Sequence, residues 1–160
     1  MKVLFSLNRI IHGLSAILMG VMLTLVLVQV FFRYVLSSPL LGSEELARYS
    51  MVWLVMLGAT VLLRTDGNVS VTYFAERFPE SIQKVIRIVV QLLIGVFYII
   101  LTVYGYEVAK DAMSQISPAT GIPVGYIAGS FPISGVIGIL YIIENIILEI
   151  VNKAPQMNSQ

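Results

Sequence analysis

Residues 10–32 read IIHGLSAILMGVMLTLVLVQVFF, 23 positions without an acid, a lysine or an arginine, fenced by Arg9 and Arg33. About 20 apolar residues in a helix rising 1.5 Å each cover the roughly 30 Å hydrocarbon core of a bilayer. The run is too long for a signal-peptide core, and no small-residue cleavage pattern follows it. It therefore predicts a retained transmembrane helix rather than a removed leader.

Working outward, three further stretches separate the clusters of charge. Between Arg48 and Arg64 lie only 15 uncharged residues, the weakest span, which crosses if each arginine reaches several ångströms toward the headgroups. Between Arg87 and Glu107 lie 19. The tract from Ala112 to Ile143 opens with Ser117-Pro118-Ala119-Thr120-Gly121-Ile122-Pro123, which reads as a loop, so its helix starts near Val124. Pro132 falls inside that helix and is expected to kink it, leaving the Ala128 carbonyl out of the ladder. Between spans two and three, Val71, Phe74 and Phe78 recur at i, i+3 and i+7, the pattern of a short amphipathic helix lying in the interface. The predicted fold is an all-α integral membrane protein. Its single membrane domain, 1–160, has four transmembrane helices at about 10–33, 44–65, 80–107 and 124–151, plus that interfacial helix.

Composition agrees. Of 160 residues, 58% are apolar and 12% charged, against about 45–50% and about 25% in ordinary globular domains. A net charge of +1 gives no electrostatic case for nucleic acid. The absence of cysteine excludes disulfides, thiolate metal sites and a cysteine nucleophile, and the single histidine, His12, excludes haem held by two histidines of one chain. No cofactor and no enzyme chemistry is expected. With four crossings, seven Lys and Arg (Lys2, Arg9, Arg64, Arg77, Lys84, Arg87, Lys153) lie on the side of the termini and three (Arg33, Arg48, Lys110) on the other. The excess predicts both termini in the cytoplasm.

The four uncharged stretches contain no Asp, Glu, Lys or Arg. A pump working alone ordinarily needs a titratable group in its pathway. What the spans carry is scattered neutral polarity, such as Ser15, Thr24, Thr60, Gln91 and Thr102, suited to interhelical hydrogen bonds of about 1 kcal/mol each. Ser130, Ser134 and Gly138 recur every four residues, a packing seam either within the chain or against a partner.

Polar residues concentrate between spans one and two: Gln29 and Arg33 one turn apart, then Tyr34, Gly42, Ser43, Glu44, Glu45 and Arg48. Gly42 or Ser43 can cap the second helix, Glu44 and Glu45 complement its positive N-terminus, and Glu44 with Arg48 makes an i, i+4 pair. These charges either terminate two helices at the surface or form a collar that docks against another protein. Tyr49 and Trp53 beside them suit an aromatic anchor.

The run Gln29-Val30-Phe31-Phe32-Arg33-Tyr34-Val35, then Pro39-Leu40, Ser43-Glu44-Glu45-Leu46-Ala47-Arg48-Tyr49, Trp53 and Leu57-Gly58-Ala59, closely resembles the small membrane subunit of tripartite ATP-independent periplasmic (TRAP) transporters, the DctQ-like family. The likeness covers essentially the whole chain, including Ser117 to Pro123, Tyr126 and Pro132. Asn68 departs from it, standing where many members have His. The resemblance implies an accessory role in the bacterial inner membrane. A periplasmic binding protein would deliver an organic acid anion, such as sialic acid or a C4-dicarboxylate. A large elevator-type subunit would hold the substrate and sodium sites, and this chain would brace it. Partner-contact candidates are Gln29, Arg33, Tyr34, Glu44, Glu45, Arg48, Trp53, Gly58, Ser130, Ser134 and Gly138. The competing reading is a self-sufficient homodimeric four-helix transporter or channel.

Overall fold

The computed structural model describes residues 2–38, 40, 42–65 and 80–150. The segment expected to form the interfacial amphipathic helix, and Asn68, lie outside them. The chain is all-α, with helices α1 (Lys2–Tyr34), α2 (Ser43–Thr65), α3 (Glu80–Ala112), the single turn α4 (Gly125–Ala128) and α5 (Ser130–Ile150). Among the described residues four segments are long and apolar enough to cross a membrane: Leu4–Tyr34, Ser43–Arg64, Val85–Ala112 and Gly125–Leu148, the last combining α4 and α5.

α1 starts at Lys2, two turns before its uncharged run, because Leu4, Leu7, Ile11 and Leu18 continue one face that packs on Trp53, Leu57 and Val61 of α2 and on Ile137 and Tyr141 of α5. α2 and α5 form the centre; α1 flanks α2, and α3 flanks α5. Of the described α1 side chains only Ile11 is buried, and Ile10, Ile17, Leu27, Phe31 and their neighbours stand bare. An apolar surface of that extent is at home only in lipid or against another protein.

α3 and α5 close on each other through small residues in antiparallel register. Gly105 faces Phe131 and Pro132, Thr102 faces Gly135, Tyr98 faces Gly138 and Gly95 faces Ile142. A Cβ on Gly138 would lie 2.2 Å from the Tyr98 ring, and one on Gly135 would lie 2.2 Å from the Thr102 hydroxyl oxygen. The helices approach because nothing but hydrogen projects there. Ser130 and Ser134 of α5 are fully buried within the chain, and the Ser134 hydroxyl donates to the Ser130 carbonyl at 2.7 Å. The seam is thus closed within the chain.

The Pro132 expectation needs correcting in position. Instead of bending mid-span, the helix breaks at Gly129 and restarts at Ser130, which places Pro132 in the first turn of α5. There a missing N–H costs least, and Ile133 resumes the ladder by donating to the Gly129 carbonyl at 3.4 Å.

Candidate functional site

At one end of the molecule, the last turn of α1, the first turn of α2 and the 113–124 connection meet. Gly42 carries a φ of 100°, open to glycine and strained for other residues, and its carbonyl accepts the Leu46 N–H at 2.9 Å, so it is Gly42 that begins α2. A Cβ there would stand 3.3 Å from the Ala119 carbonyl oxygen, and this close approach seats the helix start on the connection. Ser43 uses its hydroxyl differently, donating to the Leu40 carbonyl at 2.9 Å.

The two acids of this first turn diverge. Glu44 points outward and pairs with Arg48 at 3.2 Å, both side chains 67% exposed. Glu45 turns inward: its Oε2 accepts the hydroxyl of Ser117, which is 2% exposed, and lies 3.3 Å from Thr120 Oγ1. Ser117 Oγ in turn accepts the Thr120 N–H at 3.2 Å. The connection folds back on itself, with the Ser117 N–H on the Ile122 carbonyl at 3.1 Å and the Val124 N–H on the Gln115 carbonyl at 2.9 Å. Glu45 therefore pins this hairpin-like loop to α2, a role its spacing in the sequence does not announce.

Across the cleft, Gln29 is half-buried, while Arg33 and Tyr34 are exposed, with the Arg33 guanidinium 5.8 Å from the Tyr34 ring centre. Gln29, Arg33, Leu40, Gly42, Glu44, Glu45, Arg48 and Ala119 line a groove of about 420 Å³. The structure thus brings together the collar residues singled out in the sequence. It does not bring Trp53 there: the indole packs half-buried into the core around Leu57 and Tyr141, in place of the aromatic anchor expected of it. Ser130, Ser134 and Gly138 are buried, Gly138 against Tyr98 of α3, and offer no free surface. Gly58 lies on α2 with open space where a Cβ would be.

Arg48, Met51, Val55, Ala59 and Leu62 are all exposed and recur at three- and four-residue spacing, so a bare stripe runs down α2 from the collar. α2 is flanked on other sides by α1 and α5, and this stripe is what remains of it.

The opposite end holds a cluster that the sequence left unread. Arg64 pairs with Glu144 at 3.3 Å, donates to the Leu4 carbonyl, and holds its guanidinium 5.6 Å from the Tyr141 ring centre and 5.9 Å from that of Phe5. Asn145 donates to the Leu63 carbonyl at 3.0 Å. α1, α2 and α5 are tied there by one guanidinium. The available signal was the shortness of the second uncharged run, which draws Arg64 toward the membrane and obliges it to find a partner. Among the described residues no group of three or more His, Cys, Asp or Glu is placed to hold a metal ion.

The family model described as "Tripartite ATP-independent periplasmic transporters, DctQ component" matches residues 22–152. The chain is 28% identical over 147 residues to the "Sialic acid TRAP transporter small permease protein SiaQ" of Vibrio cholerae, covering 88% of this chain and 83% of that one. It is 30% identical over 130 residues to the "Sialic acid TRAP transporter permease protein SiaT" of Haemophilus influenzae, where the match covers 81% of this chain but 21% of that longer protein. A "Putative TRAP transporter small permease protein" of Haemophilus influenzae is 23% identical over 130 residues, 81% of each chain.

Proposed function

We propose that this chain, which belongs to the DctQ-component family of tripartite ATP-independent periplasmic transporters, braces a large permease subunit during sodium-coupled uptake of an organic acid anion. It is a multi-pass protein of the bacterial inner membrane and a transporter component, not an enzyme. On this reading a periplasmic binding protein supplies the anion, and the substrate and sodium sites belong to the large subunit. The relatives named for sialic acid favour a sialic acid or a similar carboxylate. The excess of Lys and Arg on the side of the termini supports placing both termini in the cytoplasm, which turns the collar toward the periplasm.

One observation carries the proposal: the charges drawn in among the described helices, Arg64 and Glu144, are paired with each other, while long apolar faces remain uncovered. Arg64 and Glu144 neutralise one another, and the α3–α5 seam is filled by Tyr98 and Thr102. Nothing in that arrangement offers a hydrated charged path, whereas a brace requires packing area with a few fixed polar contacts. The partner face is the collar, Gln29, Arg33, Tyr34, Glu44, Glu45 and Arg48, continued by Met51, Val55, Gly58 and Leu62 down α2.

Co-expression with the large subunit tests the assignment. Cysteines placed at Val55 and Leu62 should cross-link to the large subunit, and cysteines at the exposed α3 positions Leu93 and Ile100, away from the collar stripe, should not. Cross-linking of Val55→Cys only to a second copy of this chain would favour the homodimeric reading.

A further inference from the structure

The collar groove changes character along its length. Its upper part is lined by two bases and two acids, Arg33, Arg48, Glu44 and Glu45. A second cavity of about 400 Å³ shares the walls Leu40, Gly42 and Ala119 and is completed by Leu25, Leu46 and Ile122, with Ser43 and Thr120 as its polar members. Leu25, Gln29 and Arg33 stand at four-residue spacing on one face of α1, so the lining passes from cationic to amide to aliphatic over about 12 Å of helix. The cationic end lies at the helix terminus, where headgroups are, and the aliphatic end points to hydrocarbon depth.

The charges in the upper part are not equivalent. Glu45 is occupied by Ser117 and Thr120, and Glu44 shares its charge with Arg48 in an exposed pair that solvent weakens. Arg33 makes no ion pair among the described residues. A ligand matching this layout carries an anion for Arg33, a cation for Glu44 of the same groove, no net charge and an alkyl chain below. A purely anionic headgroup would meet both acids, and a purely apolar ligand would leave Arg33 unanswered.

We propose that this cleft between α1 and α2 is a binding site for a zwitterionic phospholipid: phosphate on Arg33 and Gln29, ammonium at Glu44, and one acyl chain between Leu25, Leu46 and Ile122. Every wall is supplied by this chain. The site therefore forms without the large subunit, and in the assembled transporter the bound headgroup becomes part of the collar surface that the large subunit meets.

The full chain, alone and with the large subunit, is reconstituted in nanodiscs of equimolar phosphatidylethanolamine and phosphatidylglycerol, released into mild detergent and weighed by native mass spectrometry. Phosphatidylethanolamine should be retained in preference to phosphatidylglycerol in both samples. Arg33→Gln should lower its retention by about five-fold through loss of the charge-assisted contact. Leu25→Trp should lower it comparably by filling the aliphatic part, with helix content by circular dichroism unchanged in both variants. Equal retention by wild type and both variants, a preference for phosphatidylglycerol, or retention only in the presence of the large subunit would each overturn the site. None of those results bears on whether the two subunits associate.

Discussion

Arg64 of α2 and Glu144 of α5, 80 residues apart in the chain, meet at 3.3 Å with side chains only 18% and 8% exposed. Each would be costly without the other, and together with the Leu4 carbonyl they fix where three helices end relative to one another. Removing one member should therefore be worse than removing both. Glu144→Ala leaves the part-buried Arg64 guanidinium without its carboxylate and should destabilise the chain by about 3 kcal/mol. The double variant Arg64→Met with Glu144→Met should recover most of that loss. Unfolding midpoints in detergent for the two singles and the double measure the coupling.

The α3–α5 seam makes a second prediction. Gly138→Ala drives a methyl group into the Tyr98 ring and should cost about 1–3 kcal/mol, the usual range for overpacking. Gly58→Ala meets nothing within 4 Å and should leave the unfolding midpoint of the isolated chain unchanged or slightly raised. The same two midpoints, compared side by side, separate a closed seam from an open one.

The spans were legible because a bilayer imposes a length and forbids unpaired charge, so counting residues between Arg9 and Arg33 or between Arg87 and Glu107 already locates two helices. Helix ends were less legible. α1 runs back to Lys2 because Leu4 and Leu7 find a core built from Leu57 and Tyr141, and no local pattern announces that core. The row Ser130, Ser134 and Gly138 showed that something packs closely but not what. At Gly138 the answer, Tyr98, depends on the register of two helices separated by a long connection. Trp53 turned inward for a similar reason: an indole serves a membrane interface and a helix core equally well, and only the placement of α1 and α5 decides. In the collar, the local Glu44–Arg48 pair could be read from spacing, whereas Glu45 bonding to Ser117, 72 residues on, could not.

Arg48 distinguishes a helix-end charge from a docking charge. Its pair with Glu44 is two-thirds exposed on both sides, so Arg48→Glu should change the stability of the isolated chain by less than about 0.5 kcal/mol. The substitution also puts a third acid beside Glu44 and Glu45 on the proposed partner face, and association with the large subunit should weaken about ten-fold. Copurification yield, read against an unchanged unfolding midpoint, reports this. Undiminished copurification would reduce the collar to a helix terminator.

Glu45 governs the adjoining loop. With Glu45→Ala, Ser117 and Thr120 lose their shared acceptor, and the backbone bonds that fold residues 115–124 together lose the strap that holds them to α2. Exchange of the Thr120 and Gly121 amides should accelerate about ten-fold, a local opening cheaper by about 1.4 kcal/mol, while amides in the middle of α3 keep their protection. Hydrogen–deuterium exchange resolved to that peptide is the measurement.

The bracing role meets its most direct test in liposomes. The purified chain is reconstituted alone and with its large subunit, binding protein and labelled organic acid are added outside, and uptake is followed after an inward sodium gradient is imposed. Uptake should require the large subunit, and the chain by itself should match empty vesicles. Sodium-driven accumulation of the acid by this chain alone would contradict the role proposed for it.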